Sequence, residues 1–195
     1  MAESWPLTFP ARSLALYMQK NTSRFQSPLT RTIQTLDRPG RRWVAEMVIR
    51  VVGHANGQAL DALLARGDSF LLHDMGRPKP LNGVITGVQL VGAHLRGNTS
   101  ISVDGLPVSQ TWLKAGDYAG IGSKLYMLNE DVLADGAGAG TLELNRGLLA
   151  DAADNAVVNF DRPTVEMLLK DDDQSARTID AARTYEYSLS FFEAL

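Results

Sequence analysis

The sequence predicts a mainly-β protein with one α-helix, in which a small β-barrel or β-sandwich domain is inserted into a first β-domain. Three observations predict it. Apolar residues alternate with period two near both ends of the chain, one stretch between them has helical period, and the middle is a succession of short β-like runs broken by Gly, Asn and Asp. The 195 residues suffice for one large domain or two small ones, and 45% hydrophobic content supplies a core.

In the first third the alternation is clearest in "RRWVAEMVIRVV", which places Trp43, Met47, Ile49 and Val51 on one face and Glu46 and Arg50 on the other. That is a half-buried strand with one wet side. "GQALDALLARG" then changes period, so the spacing predicts a helix over about 57–66 with Leu60, Leu63 and Leu64 on its inner stripe, Asn56 as candidate N-cap and Gly67 as stop. "SFLLHD" returns to extended chain, and the Pro and Gly density of "MGRPKPLNG" marks a junction near Pro78–Gly83.

From Val84 to about Leu169, the runs "GVQLVGAHL", "TSISVDGL", "GSKLYMLN", "GTLELN", "AVVNF" and "TVEMLLK" have the spacing of a small barrel or sandwich. "KDDDQSARTID" follows as a charged return. "RTYEYSLSFFEAL" alternates again, with Tyr185, Tyr187, Leu189 and Phe191 opposite Glu186, Ser188, Ser190 and Phe192. This last strand needs a sheet, and the sheet of the first third is the natural one. The expected domains are therefore 1–78 with 173–195, and an insertion of 79–172.

The motifs that carry chemistry are incomplete. Gly122-Ser123-Lys124 lacks the Gly-x-x-x-x-Gly-Lys-[Ser/Thr] frame that brings a lysine and a hydroxyl onto phosphate and magnesium. Gly136–Gly140, "GAGAG", precedes a strand-like "TLEL", whereas a dinucleotide fingerprint opens a helix. Both read as turns, with the segment 123–144 forming two strands joined by a loop and Lys124 on the surface. His54, His73 and His94 have no ligand spacing, and "HD" at His73–Asp74 has no accompanying serine motif. Lys170–Asp173 reads as a solvated charge run, and Asp151, Asp154 and Asp161 read as loop caps or turns. No catalytic residue, cofactor site or metal site is assigned. Trp5, Trp43 and Trp112 are spread along the chain, as core or interface anchors would be. An exposed aromatic such as Trp112 or Tyr118 beside polar loops would instead suit a carbohydrate-binding β-module, the alternative function.

The absence of cysteine excludes disulfides and thiolate chemistry. A net charge of -3, from 19 basic and 22 acidic residues, gives no overall attraction to nucleic acid or anionic lipid. No apolar run approaches the roughly 18 residues of a membrane span, and Met1–Pro10 lacks the charge and apolar order of a signal peptide, so the expectation is synthesis in the cytoplasm without membrane insertion.

In order and pattern, "WVAEMVIR", the helix "ALDALLARG", the passage "LLARGDSFLLHD", the inserted "LKAGDYAGIGSKLYMLNEDVLADGAGAGTLELNRGL" and the closing "YEYSLSFFEAL" resemble the distal tail proteins of long-tailed bacteriophages. The resemblance spans almost the whole chain. It implies that the first domain is a β-sandwich or split-barrel belt domain forming a homohexameric ring at the distal end of the virion tail. The ring would couple the tail tube protein to the baseplate hub and other tail-tip proteins, with DNA only passing through its lumen. It implies no catalytic residue and no cofactor. The insertion is shorter than the receptor-binding or sugar-binding modules of some members. Strand edges and apolar faces that a small domain would otherwise expose make Trp43, Met47, Ile49, Tyr185, Tyr187 and Phe192 the candidate subunit-interface residues.

Overall fold

The computed structural model describes residues 3–6, 9, 11–66, 69–170, 177–180 and 184–194. The protein is mainly β, with a single helix among the described residues. In chain order the elements are β1 (Glu3–Ser4), β2 (Ala11–Gln26), β3 (Ile33–Val52), α1 (His54–Arg66), β4 (Ser69–His73), β5 (Gln89–Leu90), β6 (Ser100–Asp104), β7 (Tyr118–Ile121), β8 (Lys124–Met127), β9 (Gly140–Glu143), β10 (Val158–Asn159), β11 (Thr164–Leu169), β12 (Arg177–Ile179) and β13 (Thr184–Glu193). No described helix is long and apolar enough to cross a membrane.

The chain forms two compact units, residues 1–70 with 167–195, and residues 71–166. The limits fall at 70 and 167, not at the 78 and 173 expected from the turn-rich and charged segments. The physical reason is sheet membership. β11 lies next to β13 in the large sheet, whose order is β1-β4-β11-β13-β3-β2 with β12 also beside β13. "TVEMLLK", read above as the last strand of the insertion, is thus a strand of the large sheet.

In the first unit β13 pairs antiparallel with β3 from Thr184↔Val52 to Phe192↔Val44. The alternation of both strands places Trp43, Ala45, Met47, Ile49 and Val51 of β3, and Tyr185, Tyr187, Leu189 and Phe191 of β13, in the core. Trp5, Phe70 and Phe191 close that core edge to face, with centroids 5.4, 6.2 and 6.1 Å apart. The helix buries Gly57, Leu60, Leu63 and Leu64, the predicted stripe extended by one glycine. It starts at His54, so Asn56 lies inside its first turn rather than at the N-cap, and donates from Nδ2 to Val52 O at 2.9 Å. Gly53, at φ +91°, turns the chain from strand to helix earlier than the polar signal suggested. Gly67, the expected stop, lies outside the described residues, as do Asp171–Asp173 of the charged run.

The second unit holds two three-stranded sheets, ordered β10-β7-β8 and β5-β6-β9. Single bridges join them on both sides, Leu128↔Leu144 beside β8 and β9, and Gln89↔Val157 beside β5 and β10. Six strands therefore close on themselves as a small barrel around Val88, Ile101, Val103, Leu113, Leu142 and Phe160. Segment 123–144 is not simply two strands and a loop. β8 makes its hairpin with β7, through a two-residue turn at Gly122-Ser123 in which Gly122 has φ +62°. β9 pairs with β6 instead. β7, "YAGI", had no period to reveal it because all four residues are buried.

Candidate interaction surface

β2 and β3 are 16 and 20 residues long, far beyond what the core requires. Their outer half leaves the sheet. The pairing of β13 with β3 stops at Val44, where the buried Glu193 carboxylate accepts the Trp43 N–H at 3.0 Å. Beyond it, among the described strands, β3 continues beside β2 alone, from Asn21↔Arg38 to Gln26↔Ile33. A register shift between Gln19 and Asn21, opposite Pro39 and Gly40, marks the base of this arm. A proline that offers no ladder N–H, followed by a glycine at φ +105°, suits such an irregularity. Six pairs at about 3.3 Å per residue give an arm reach of about 20 Å.

The tip is ordered by its own bonds. Ser27 N donates to Thr32 O at 3.0 Å, Arg31 N donates to Ser27 O at 2.9 Å, and the Thr30 and Thr32 hydroxyls meet at 2.8 Å. The arm also exposes apolar side chains: Phe25 is 58% exposed, Leu29 93%, Ile33 64% and Leu36 51%. Phe25 faces Gln34 and Leu36 faces Ser23, so the two apolar groups are diagonal neighbours on one face; Ile33, opposite Gln26, lies on the other.

The charge of the arm differs from that of the chain. Residues 19–42 hold Lys20, Arg24, Arg31, Arg38, Arg41 and Arg42 against Asp37 alone, a net +5; as the chain totals -3, the remainder carries -8. Arg41 pairs with Asp37, and Arg42 donates to Gln19 at 3.0 Å and stacks over Phe192 at 5.1 Å. Lys20, Arg24, Arg31 and Arg38 make no ion pair among the described residues.

The interface residues read from the sequence lie elsewhere. Trp43, Met47, Ile49, Tyr185 and Tyr187 are buried in the core of their own unit, and Phe192 is half-buried beneath Arg42. The alternation was real, but its apolar face is covered by the helix and by the aromatic residues of the same unit. That leaves five of these side chains no surface to offer a second subunit.

Two polar clusters are built in. Tyr187 Oη donates to Asp61 Oδ1 at 2.8 Å and lies 3.2 Å from Gly57 O, while Arg177 pairs with Asp61. Burial, then the bond to Asp61, pushes the Tyr187 hydroxyl up to about 12. In the second unit Arg77 bonds the Tyr118 hydroxyl, lies 4.6 Å over its ring and contacts Asp74 at 3.4 Å. Burial pushes Tyr118 up to about 12, against the opposing charge of Arg77. Burial, then the Arg162 charge, lowers the His73 imidazole. Both tyrosines are neutral donors in ordinary buffers, tied to residues of their own unit.

Tyr118 is buried, and Trp112 is half-buried with Nε1 donating to Gly83 O at 3.2 Å, so neither is the exposed ring that a sugar platform needs. His54 Nδ1 lies 3.1 Å from Tyr185 Oη. Asp151 accepts the Arg96 N–H and Asp154 the Gly92 N–H, each at 2.7 Å, as loop caps. Lys124 is half-buried, with part of its side chain at the surface. Asp135 organises the "GAGAG" turn by accepting from Ala137 and Ala139, which lowers its carboxyl. Among the described residues no three His, Asp or Glu side chains are placed to hold a metal ion. The chain matches no protein-family model, and a search of curated proteins finds no match.

Proposed function

We propose that the protein is a structural subunit of a multi-copy assembly, whose work is to make contacts rather than to transform a substrate. The observation that supports this best is the β2–β3 arm, an ordered ribbon with both faces and the tip offering apolar side chains to a partner. A monomeric protein gains nothing from such a ribbon, which contributes little to its core and carries an aggregation risk. The setting its sequence resemblance implies is the distal tail or baseplate ring of a long-tailed bacteriophage. There a homohexamer would join the tail tube protein to the hub and tip proteins and let DNA pass.

Electron microscopy of the purified protein, and of tail particles carrying a tagged copy, tests this reading. A sixfold ring at the distal end of the tail is expected. A protein absent from purified tails and monomeric alongside tube and hub proteins would overturn it.

A further inference from the structure

Resting on that assembly reading, we infer that the arm of each copy docks on the acidic body of a second copy of this chain, a donor-to-acceptor contact. The arm is dispensable to its own unit. Among the described strands, Asn21–Gln26 and Ile33–Arg38 pair only with each other, past the point where β13 ends. Its net charge of +5 faces a remainder of -8 in the same sequence, so one copy carries both halves of a complementary pair. In residues 71–166 alone, eleven carboxylates stand against seven cations, and Asp104, Glu130, Asp151, Asp154 and Asp161 are exposed.

The apolar groups decide between a protein and a nucleic acid as the occupant. Phosphates would neutralise Lys20, Arg24, Arg31 and Arg38, but would not cover Phe25, Ile33 and Leu36 on two faces of the ribbon. A folded surface can do both. The hydrogen bonds of the tip hold Leu29 and Arg31 in place beforehand, which reduces the ordering cost of docking. Because the donor and acceptor surfaces differ, the contact is heterologous, and repeated it gives either a closed ring or an open filament.

The test uses the full chain and two variants. One is R24E with R31E; the other replaces residues 21–38 by an Asn-Gly turn, which keeps the inner β2–β3 pairs. Sedimentation velocity at low and high salt reads self-association, and circular dichroism melts confirm folding. The parent is expected to self-associate about tenfold or more weakly at high salt, where charges are screened over a few Å, and both variants are expected to remain folded and monomeric. Carbodiimide coupling should join Lys20, the arm's single lysine, to carboxylates outside residues 19–42 of another copy, identified with isotopically mixed subunits. Variants that assemble like the parent overturn the inference while leaving the ring reading intact. A parent monomeric at low salt, or an arm that retains duplex DNA without self-association, also overturns it. Sixfold rings in tails are scored separately by microscopy and decide the function reading alone.

Discussion

Excising residues 74–163 and joining His73 to Thr164 through a short Gly/Ser linker is expected to leave a first unit that folds cooperatively. Excising 79–172, the insertion as the turn signals delimit it, is not. The difference is one strand. The shorter cut keeps β4 and β11, hydrogen-bonded neighbours in the large sheet, while the longer one removes β11. β11 buries Met167 completely and pairs with β13 through Met167↔Glu193, Leu168↔Phe192 and Leu169↔Phe191. Full burial of one such side chain is worth about 1.5–3 kcal/mol, and each cross-strand pair about 0.2–1 kcal/mol. The loss is therefore about 2–6 kcal/mol, a large share of the roughly 5–15 kcal/mol that holds a domain together. Urea denaturation followed by tryptophan fluorescence measures it, since Trp5 and Trp43 report the core of this unit. Equal midpoints for the two excisions, with equally cooperative transitions, would refute the assignment of β11 to the first unit.

Three further perturbations have expected outcomes. Gly57→Ala gains up to about 1 kcal/mol of helix propensity, but its Cβ would meet three ring atoms of the buried Tyr185 at 3.0 Å; the overlap, typically about 1–3 kcal/mol, should win and lower the urea midpoint. Phe25→Ser with Leu36→Ser should leave stability within about 0.5 kcal/mol, because both side chains are solvent-exposed, while weakening self-association in sedimentation. Raising pH should destabilise both units: Tyr118 and Tyr187 are pushed from 10.0 up to about 12, so the folded state favours the protonated hydroxyl. That contribution is complete below pH 10 and lost as pH rises through 12, and melts across this window, with tyrosinate absorbance alongside, check the sign.

The sequence made the buried parts legible and the exposed parts obscure. Trp43, Met47, Ile49 and Val51 alternate because one face of β3 is dry, and Tyr185 to Phe191 alternate for the same reason. The helix stripe at Leu60, Leu63 and Leu64 follows the same logic. β7 escaped because a strand buried on both faces has no alternation, and "YAGI" has two small residues besides. The outer arm escaped for the opposite reason: with both faces wet, Asn21–Gln26 and Ile33–Arg38 carry no apolar period. Its remaining signals were the "SPLT" turn and the density of arginine from 24 to 42. Five of the six interface candidates lie in the core for the same reason, since apolar periodicity marks what a chain covers for itself, and the side chains left for a partner obey no period.

A blander account of the arm's cations is that they protect an edge strand. β2 stands at the end of the sheet order, and charged side chains on an edge discourage indiscriminate pairing. That account explains Lys20 and Arg24 on β2, and Arg38 on β3, because past Val44 both strands of the ribbon are edges, but not Arg31 at the tip. Nor does it explain why Phe25, Leu29, Ile33 and Leu36 stay exposed among the charges, since protection would favour polar residues there. The two accounts differ in sign under charge reversal. Glutamates guard an edge about as well as arginines, so protection alone predicts that R24E with R31E changes no association, whereas an arm that seeks an acidic body must lose its partner. The overall -3 cannot discriminate between them, because it averages a +5 ribbon with a -8 remainder. What a neighbouring copy would meet is the separation of those charges along the chain.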